Sequence, residues 1–230
     1  ERLNAGYVSR VSSNRPYVRV KVAASIDGAI AMSSGESQWI TGAPAREDVQ
    51  RLRARSGAIM TGIGTVLADD PFLDVRLQTI ETRGLQPLRV VLDSHLLMPL
   101  TAAMLSRPGQ TLVCCCGNHD DSGLLRSGAE VRSFGEPGGV VDVDAVLDDL
   151  AGRGVNDLLV EAGPGVMGYL LENDLVDELV IYQAPHIMGS ETRGMFRTPS
   201  WSTLADRRTL EITDVRRVGG DTRITARVKR

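Results

Sequence analysis

The segment Leu158-Leu159-Val160-Glu161-Ala162-Gly163-Pro164-Gly165-Val166-Met167-Gly168 runs from an apolar stretch through three glycines into a helical pattern. Asp157–Ala162 reads as a strand that breaks at Gly163-Pro164-Gly165 and continues as a helix through about Asn173. The glycines at 163, 165 and 168 satisfy G-x-G-x-x-G where that spacing has physical meaning, between a strand and a helix. Glycines let backbone N–H groups approach a pyrophosphate, and the helix start adds a favourable partial positive charge. An ordinary glycine-rich turn fits the same residues, so phosphate binding and simple chain reversal both remain open.

A Rossmann fold would place this motif in its first βα turn, with an acidic residue about 20 positions on at a strand end. Here the motif comes late, and Asp177-Glu178 stand at the start of a strand. Working outward, Val18, Val20 and Val22 alternate with Arg19 and Lys21, which predicts a strand over 17–24. Pro44 suits the first turn of a helix over 45–55, with Val49 and Leu52 on one face. Ala58–Met60, Leu88–Asp93 and Thr111–Cys116 read as buried strands, and Val131–Phe134 as another. A helix is expected over 144–153, a strand over 179–183, and a hairpin from Leu210–Arg217 and Arg223–Val228 around Gly219-Gly220-Asp221. Residues 1–15 are polar and read as an irregular leader or linker. Strands alternating with helices predict one α/β domain over 16–230, a mostly parallel sheet with antiparallel strands at one side and ligands at the strands' carboxyl ends.

The chain has 230 residues, enough for a sizeable core. A net charge of −3 gives no global field favouring nucleic acid or an anionic membrane. No apolar run approaches the roughly 20 residues of a membrane span. The first residue is Glu1, which leads to the expectation of a trimmed piece of a longer protein. Cys114, Cys115 and Cys116 are consecutive, so neighbouring side chains point to opposite faces and do not converge on a metal; they read as small hydrophobes of a reduced, cytoplasmic protein.

Three segments carry polar groups near strand ends. Lys21, within an apolar strand, must snorkel or meet a polar partner, and Glu161 near another strand end is a conceivable one. A second glycine turn, Thr61-Gly62-Ile63-Gly64-Thr65, leads to Asp69-Asp70-Pro71, where Asp70 reads as a turn residue. Arg76 follows, with a fork suited to phosphate or to solvent. In the polar loop 33–41, Trp39 suits either a planar ring or the core. No serine stands in a G-x-S-x-G setting, so a hydrolytic triad is unsupported.

Together, Lys21-Val22-Ala23-Ala24-Ser25-Ile26-Asp27-Gly28, Ser34-Gly35-Glu36-Ser37-Gln38-Trp39-Ile40-Thr41, the 62–71 turn, Asp93-Ser94, the Val160–Gly165 segment and Leu175-Val176-Asp177-Glu178-Leu179 closely resemble the reductase domain of bacterial riboflavin biosynthesis. The resemblance implies a dihydrofolate-reductase-like fold and a cytoplasmic homodimer. It also implies NADPH-dependent reduction of 5-amino-6-(5-phosphoribosylamino)uracil to its ribityl counterpart. In that family the domain usually follows a zinc-dependent deaminase domain. The H-x-E and P-C-x-x-C signatures of zinc deaminases are missing here, so the chain is expected to be the reductase half alone, with residues 1–15 resembling the joining segment.

Carried over by motif, Ser37, Arg53, Leu73, Arg76 and Glu161 would contact substrate, with Arg53 and Arg76 on its 5′-phosphate. Ala23, Trp39, Thr65, Asp69, Ser94 and the run Gly163, Pro164, Gly165, Val166, Met167, Gly168, Tyr169 would hold the cofactor, with no metal. Ala29 stands where relatives often carry a basic residue, and Tyr169 is bulkier than the usual occupant. The expected catalytic pair is Lys21 and Glu161, positioning the opened ribosyl chain for hydride arrival at C1′. Two other readings use the same residues: a reductase of this fold acting on another pterin- or pyrimidine-like substrate, separable by a substrate panel, and a non-catalytic nucleotide-binding module, which would bind cofactor without turnover.

Overall fold

The computed structural model describes residues 4–229. In chain order its elements are α1 (Ala5–Ser13), β1 (Tyr17–Ser25), β2 (Ala29–Ala31), α2 (Ala43–Ala54), β3 (Ala58–Gly62), α3 (Ile63–Asp69), β4 (Leu88–Leu92) and β5 (Thr111–Cys115). There follow α4 (Ser122–Arg126), β6 (Glu130–Ser133), α5 (Val143–Gly152), β7 (Asp157–Val160), α6 (Pro164–Glu172), β8 (Glu178–Ala184), β9 (Arg193–Gly194), β10 (Leu210–Val218) and β11 (Asp221–Val228). Among the described residues no helix is long and apolar enough to cross a membrane.

The chain divides into two compact units. The first contains the described residues up to Tyr17 together with Gln50–Leu159. Its strand order is β7-β3-β4-β5-β6, and β3–β4, β4–β5 and β5–β6 all pair parallel. A parallel sheet covered on both faces calls for continuous apolar strands, and β3 and β5 are buried at every position. All three cysteines are free and buried at the end of β5, and burial pushes the Cys114 thiol upward, away from the reactive thiolate. Helix α5 starts at Asp142, whose carboxylate accepts the Ala145 N–H at 3.1 Å.

The second unit contains Val18–Val49 and Val160–Arg230, with strand order β10-β11-β8-β1. β1 runs parallel to β8, while β11 is antiparallel to both β8 and β10. Val18, Val20 and Val22 of β1 are buried while the alternate residues are half-buried, as the period of two requires. The hairpin turns on Gly219-Gly220 between the paired Val218 and Asp221. Gly219 has φ +64°, and a Cβ there would meet the Pro44 ring at 2.7 Å.

Two expectations are corrected. Residues 1–15 are not irregular throughout: α1 forms, and Arg10 Nε donates to Asn156 Oδ1 at 2.7 Å. The 62–71 segment is not an open turn either, because β3 runs through Gly62 and α3 begins at Ile63. Val66, on the buried side of α3, supplies the apolar anchor that glycine spacing concealed.

Candidate active site

Lys21 lies in the middle of β1 on the face shared with Arg19 and Ala23. Glu161 is the first residue beyond β7. Lys21 Nζ stands 3.9 Å from Glu161 Oε2, with the two side chains 19% and 11% exposed. At that separation two unit charges attract by about 4 kcal/mol for an effective dielectric near 20, and loss of hydration offsets much of this. The pair therefore does more to aim the ammonium than to hold the fold.

Two residues further on, α6 starts at the extended Gly163. Pro164 has no N–H to offer, and among the described residues no side chain caps this end. The amides of Gly165 and Val166 are thus first-turn donors without an intrahelical acceptor, at the positive end of the helix dipole. A Cβ on Gly165 would lie 3.0 Å from Arg197 Nη2, so a guanidinium reaches the same turn. Arg197 N–H also donates to the Pro164 carbonyl at 2.9 Å. Gly168 lies inside α6, where a Cβ would meet the Arg197 carbonyl oxygen at 2.0 Å; its glycine serves close backbone packing. Met167 is turned into the core, while Tyr169 is partly exposed.

The loop before α2 holds Ser37, half-buried, and Trp39, which is 68% exposed rather than core. The Arg46 guanidinium lies 4.5 Å above the Trp39 ring and donates to the Thr41 carbonyl at 2.7 Å. Gly42 N–H donates to Asp221 Oδ2 at 2.8 Å. In α2, Asp48 Oδ2 accepts from the Tyr182 hydroxyl at 2.7 Å and from Arg223 Nη1 at 2.8 Å. Burial opposes ionisation of Asp48, but these two donors prevail and keep its pKa below the usual carboxylate range. Past β1, Asp27 accepts from the Ser25 hydroxyl and from the N–H groups of Met188 and Gly189, and the Ser25 bond foremost pulls its pKa down to about 2.

The remaining expected site residues belong to the first unit. Thr65, half-buried, and Asp69, exposed, lie one turn apart on α3. Asp70 caps that helix in the left-handed conformation, φ +41°, and its carboxylate accepts the Ala103 N–H at 2.7 Å. Ser94 Oγ accepts the Val141 N–H at 3.1 Å. Leu73 is buried with φ +48°, an uncommon backbone for a branched side chain. Its neighbour Asp74 is the centre of this region. Asp74 Oδ1 accepts from Arg76 at 2.8 Å, Oδ2 from Arg107 at 3.0 Å, and its carbonyl from Arg53 Nη1 at 3.0 Å. Burial would raise the Asp74 carboxyl, yet the Arg76 and Arg107 bonds hold it low and ionised. Gln50 accepts the Arg76 N–H, and Gln86 brackets Val75 through both its N–H and its carbonyl.

The fold thus pairs Lys21 with Glu161, joins Arg53 and Arg76 through Asp74, and ties Ser94 separately to the Val141 backbone. Sequence reading missed Asp74, Arg107 and Arg197. Asp74 carried a signal, an acid flanked by apolar residues two positions before an arginine. Arg107 and Arg197 stand in loops with no local pattern to mark them. The donors at α6 and the Arg197 guanidinium fit a pyrophosphate-bearing cofactor, since all are cationic or N–H groups.

A family model described as the RibD C-terminal domain matches residues 16–224. The riboflavin biosynthesis protein RibD of Escherichia coli (strain K12) is 39% identical over 96% of this chain and 62% of its own length. A 2,5-diamino-6-ribosylamino-4(3H)-pyrimidinone 5′-phosphate reductase of Archaeoglobus fulgidus is 41% identical over 76% of this chain and 83% of its own length. The solved structure of Acinetobacter baumannii RibD superposes with a TM-score of 0.89 at 36% identity, over 99% of this chain and 62% of that one. The chain therefore spans about three fifths of the RibD relatives it matches, and it has their mixed, mostly parallel sheet with closing antiparallel strands.

Proposed function

Because this chain belongs to the RibD C-terminal domain family, we propose that it reduces 5-amino-6-(5-phosphoribosylamino)uracil to the 5-phosphoribitylamino product, with NADPH as the preferred cofactor. We read residues 16–230 as one functional reductase domain, cytoplasmic and homodimeric, from a longer protein that also carries a deaminase domain. The observation that carries the reading is an uncapped, anion-receptive helix start two residues beyond Glu161, itself paired with Lys21.

The ribosylamine opens to an imine whose C1′ is electrophilic. When bound, the reduced nicotinamide supplies the hydride that arrives at C1′. The C1′–N double bond becomes single and the nitrogen takes up one proton, giving the ribityl amine. Lys21, aimed by Glu161, positions the opened chain and delivers that proton, which solvent then replaces on Nζ. Arg53 and Arg76 hold the 5′-phosphate, and Ser37 and the Leu73 backbone orient the rest of the substrate. Ala23, Trp39, Thr65, Asp69, Ser94 and the 163–169 run hold the cofactor, α6 through its first-turn amides. Fixing donor and acceptor carbons in register contributes roughly 7–11 kcal/mol in ideal cases, so positioning is the chain's main task.

The test is to mix the 230-residue chain, NADPH and the ribosylaminouracil phosphate, and to follow absorbance at the reduced-nicotinamide band. Substrate-dependent decay with formation of the ribityl product is expected, faster than with NADH. Cofactor binding with no decay would overturn the reading.

A further inference from the structure

The first unit gathers three arginines on Asp74. Arg76 and Arg107 bind its two carboxylate oxygens separately, and both guanidiniums overlie the Phe72 ring, at 5.7 Å and 4.8 Å. Arg53 holds the Asp74 carbonyl. Arg89, 1% exposed, holds the Arg107 carbonyl through Nη2, while its Nη1 is buried with no hydrogen-bond partner among the described residues. Two guanidiniums, those of Arg76 and Arg107, thus share the one Asp74 carboxylate.

We propose that Arg107 is a further phosphate-binding residue, held opposite Arg76 by Asp74 so that the two forks grip one phosphate monoester. The proposal rests on the assignment of the substrate's phosphate to Arg53 and Arg76. Two guanidiniums sharing one carboxylate repel each other, and a dianion between them removes that repulsion. Each spends one N–H on Asp74, which leaves the remaining edges of both forks for phosphate oxygens. Arg107 is fixed at both ends, its side chain by Asp74 and its carbonyl by Arg89. The preceding 3₁₀ turn, Ala103–Ser106, is tied to α3 through Asp70. A surface arginine with no task would gain little from such anchoring. Phe72 supplies a flat wall that keeps both guanidiniums from folding away.

The probes are ribose 5-phosphate and ribose, titrated calorimetrically into the full chain. The wild type should bind ribose 5-phosphate well above ribose. Arg107→Ala should weaken ribose 5-phosphate by about tenfold, the scale of a lost charge-assisted bond, and leave ribose unchanged. Arg107→Lys, which keeps the charge but loses the fork, should fall between; if Arg107→Ala does not fold, a weakening of about threefold or more by Arg107→Lys carries the proposal, and unchanged binding overturns it. Ribose 5-phosphate affinity within twofold of wild type in Arg107→Ala, with Arg76→Ala strongly weakened, overturns the role of Arg107 and leaves the phosphate assignment standing. If Arg76→Ala is equally silent, or the wild type binds neither probe, the phosphate assignment and this proposal fall together.

Discussion

Gly168 and Arg197 meet backbone to backbone: a Cβ on Gly168 would stand 2.0 Å from the Arg197 carbonyl oxygen and 2.9 Å from its amide nitrogen. At Gly165 the nearest obstacle is only the far end of the Arg197 side chain, 3.0 Å away. The two glycines look equivalent in the motif, yet one is required by packing and the other by access.

Gly168→Ala should therefore destabilise the protein by about 1–3 kcal/mol, the usual range for an overpacked site, because backbone must move to admit the methyl. Gly165→Ala should be near neutral for stability, since the guanidinium can swing aside and alanine favours the helix. Chemical denaturation of both variants checks this; equal midpoints would contradict it.

Lys21→Met and Glu161→Gln should each lower kcat/KM by about 10²–10⁴-fold, the range for a positioned proton-transfer group. Because the two side chains act as a pair, the double variant should lose much less than the product of the single losses. Steady-state kinetics on folded variants decide it, and wild-type kcat/KM in both singles removes the pair from the reaction.

Asp48 anchors two buried donors at once, so its loss should far exceed that of either partner. Tyr182→Phe removes one hydrogen bond and should cost about 1 kcal/mol. Asp48→Ala strands the Tyr182 hydroxyl and the Arg223 guanidinium together, and should cost about 3–5 kcal/mol. Urea unfolding of the two variants gives the comparison, and similar losses would argue against a shared anchor.

The Asp27 carboxyl binds its proton less readily in the folded state, with a pKa of about 2 against 3.8 for the free group. On acidification the unfolded chain takes up that proton first, so stability falls as pH drops. This contribution should be complete above about pH 4 and vanish between about 4 and about 2. Unfolding midpoints across pH 2–5 should show a shallower decline for Asp27→Asn than for the wild type; parallel curves would dismiss the effect.

Much of the fold was legible from local pattern. Alternation in 17–24, apolar runs at 58–60, 88–93 and 111–116, and the double glycine at 219–220 each specify an element through the side-chain period or through backbone freedom. α3 was missed because its single buried residue, Val66, makes too little periodicity to outweigh Gly62 and Gly64. α1 was missed because Gly6 is its only buried residue, so no apolar stripe marks it. The sequence by itself determined which residue types stand at strand ends: a lysine inside an apolar strand, an acid before a glycine turn, arginines after an acidic pair. Only the tertiary structure decided that Lys21 meets Glu161, that Arg53, Arg76 and Arg107 share Asp74, and that Arg197 crosses Gly168. Those partners are separated by up to 140 residues, here Lys21 and Glu161 (161 − 21), and side-chain periodicity carries information only about neighbours within a few residues along the same element.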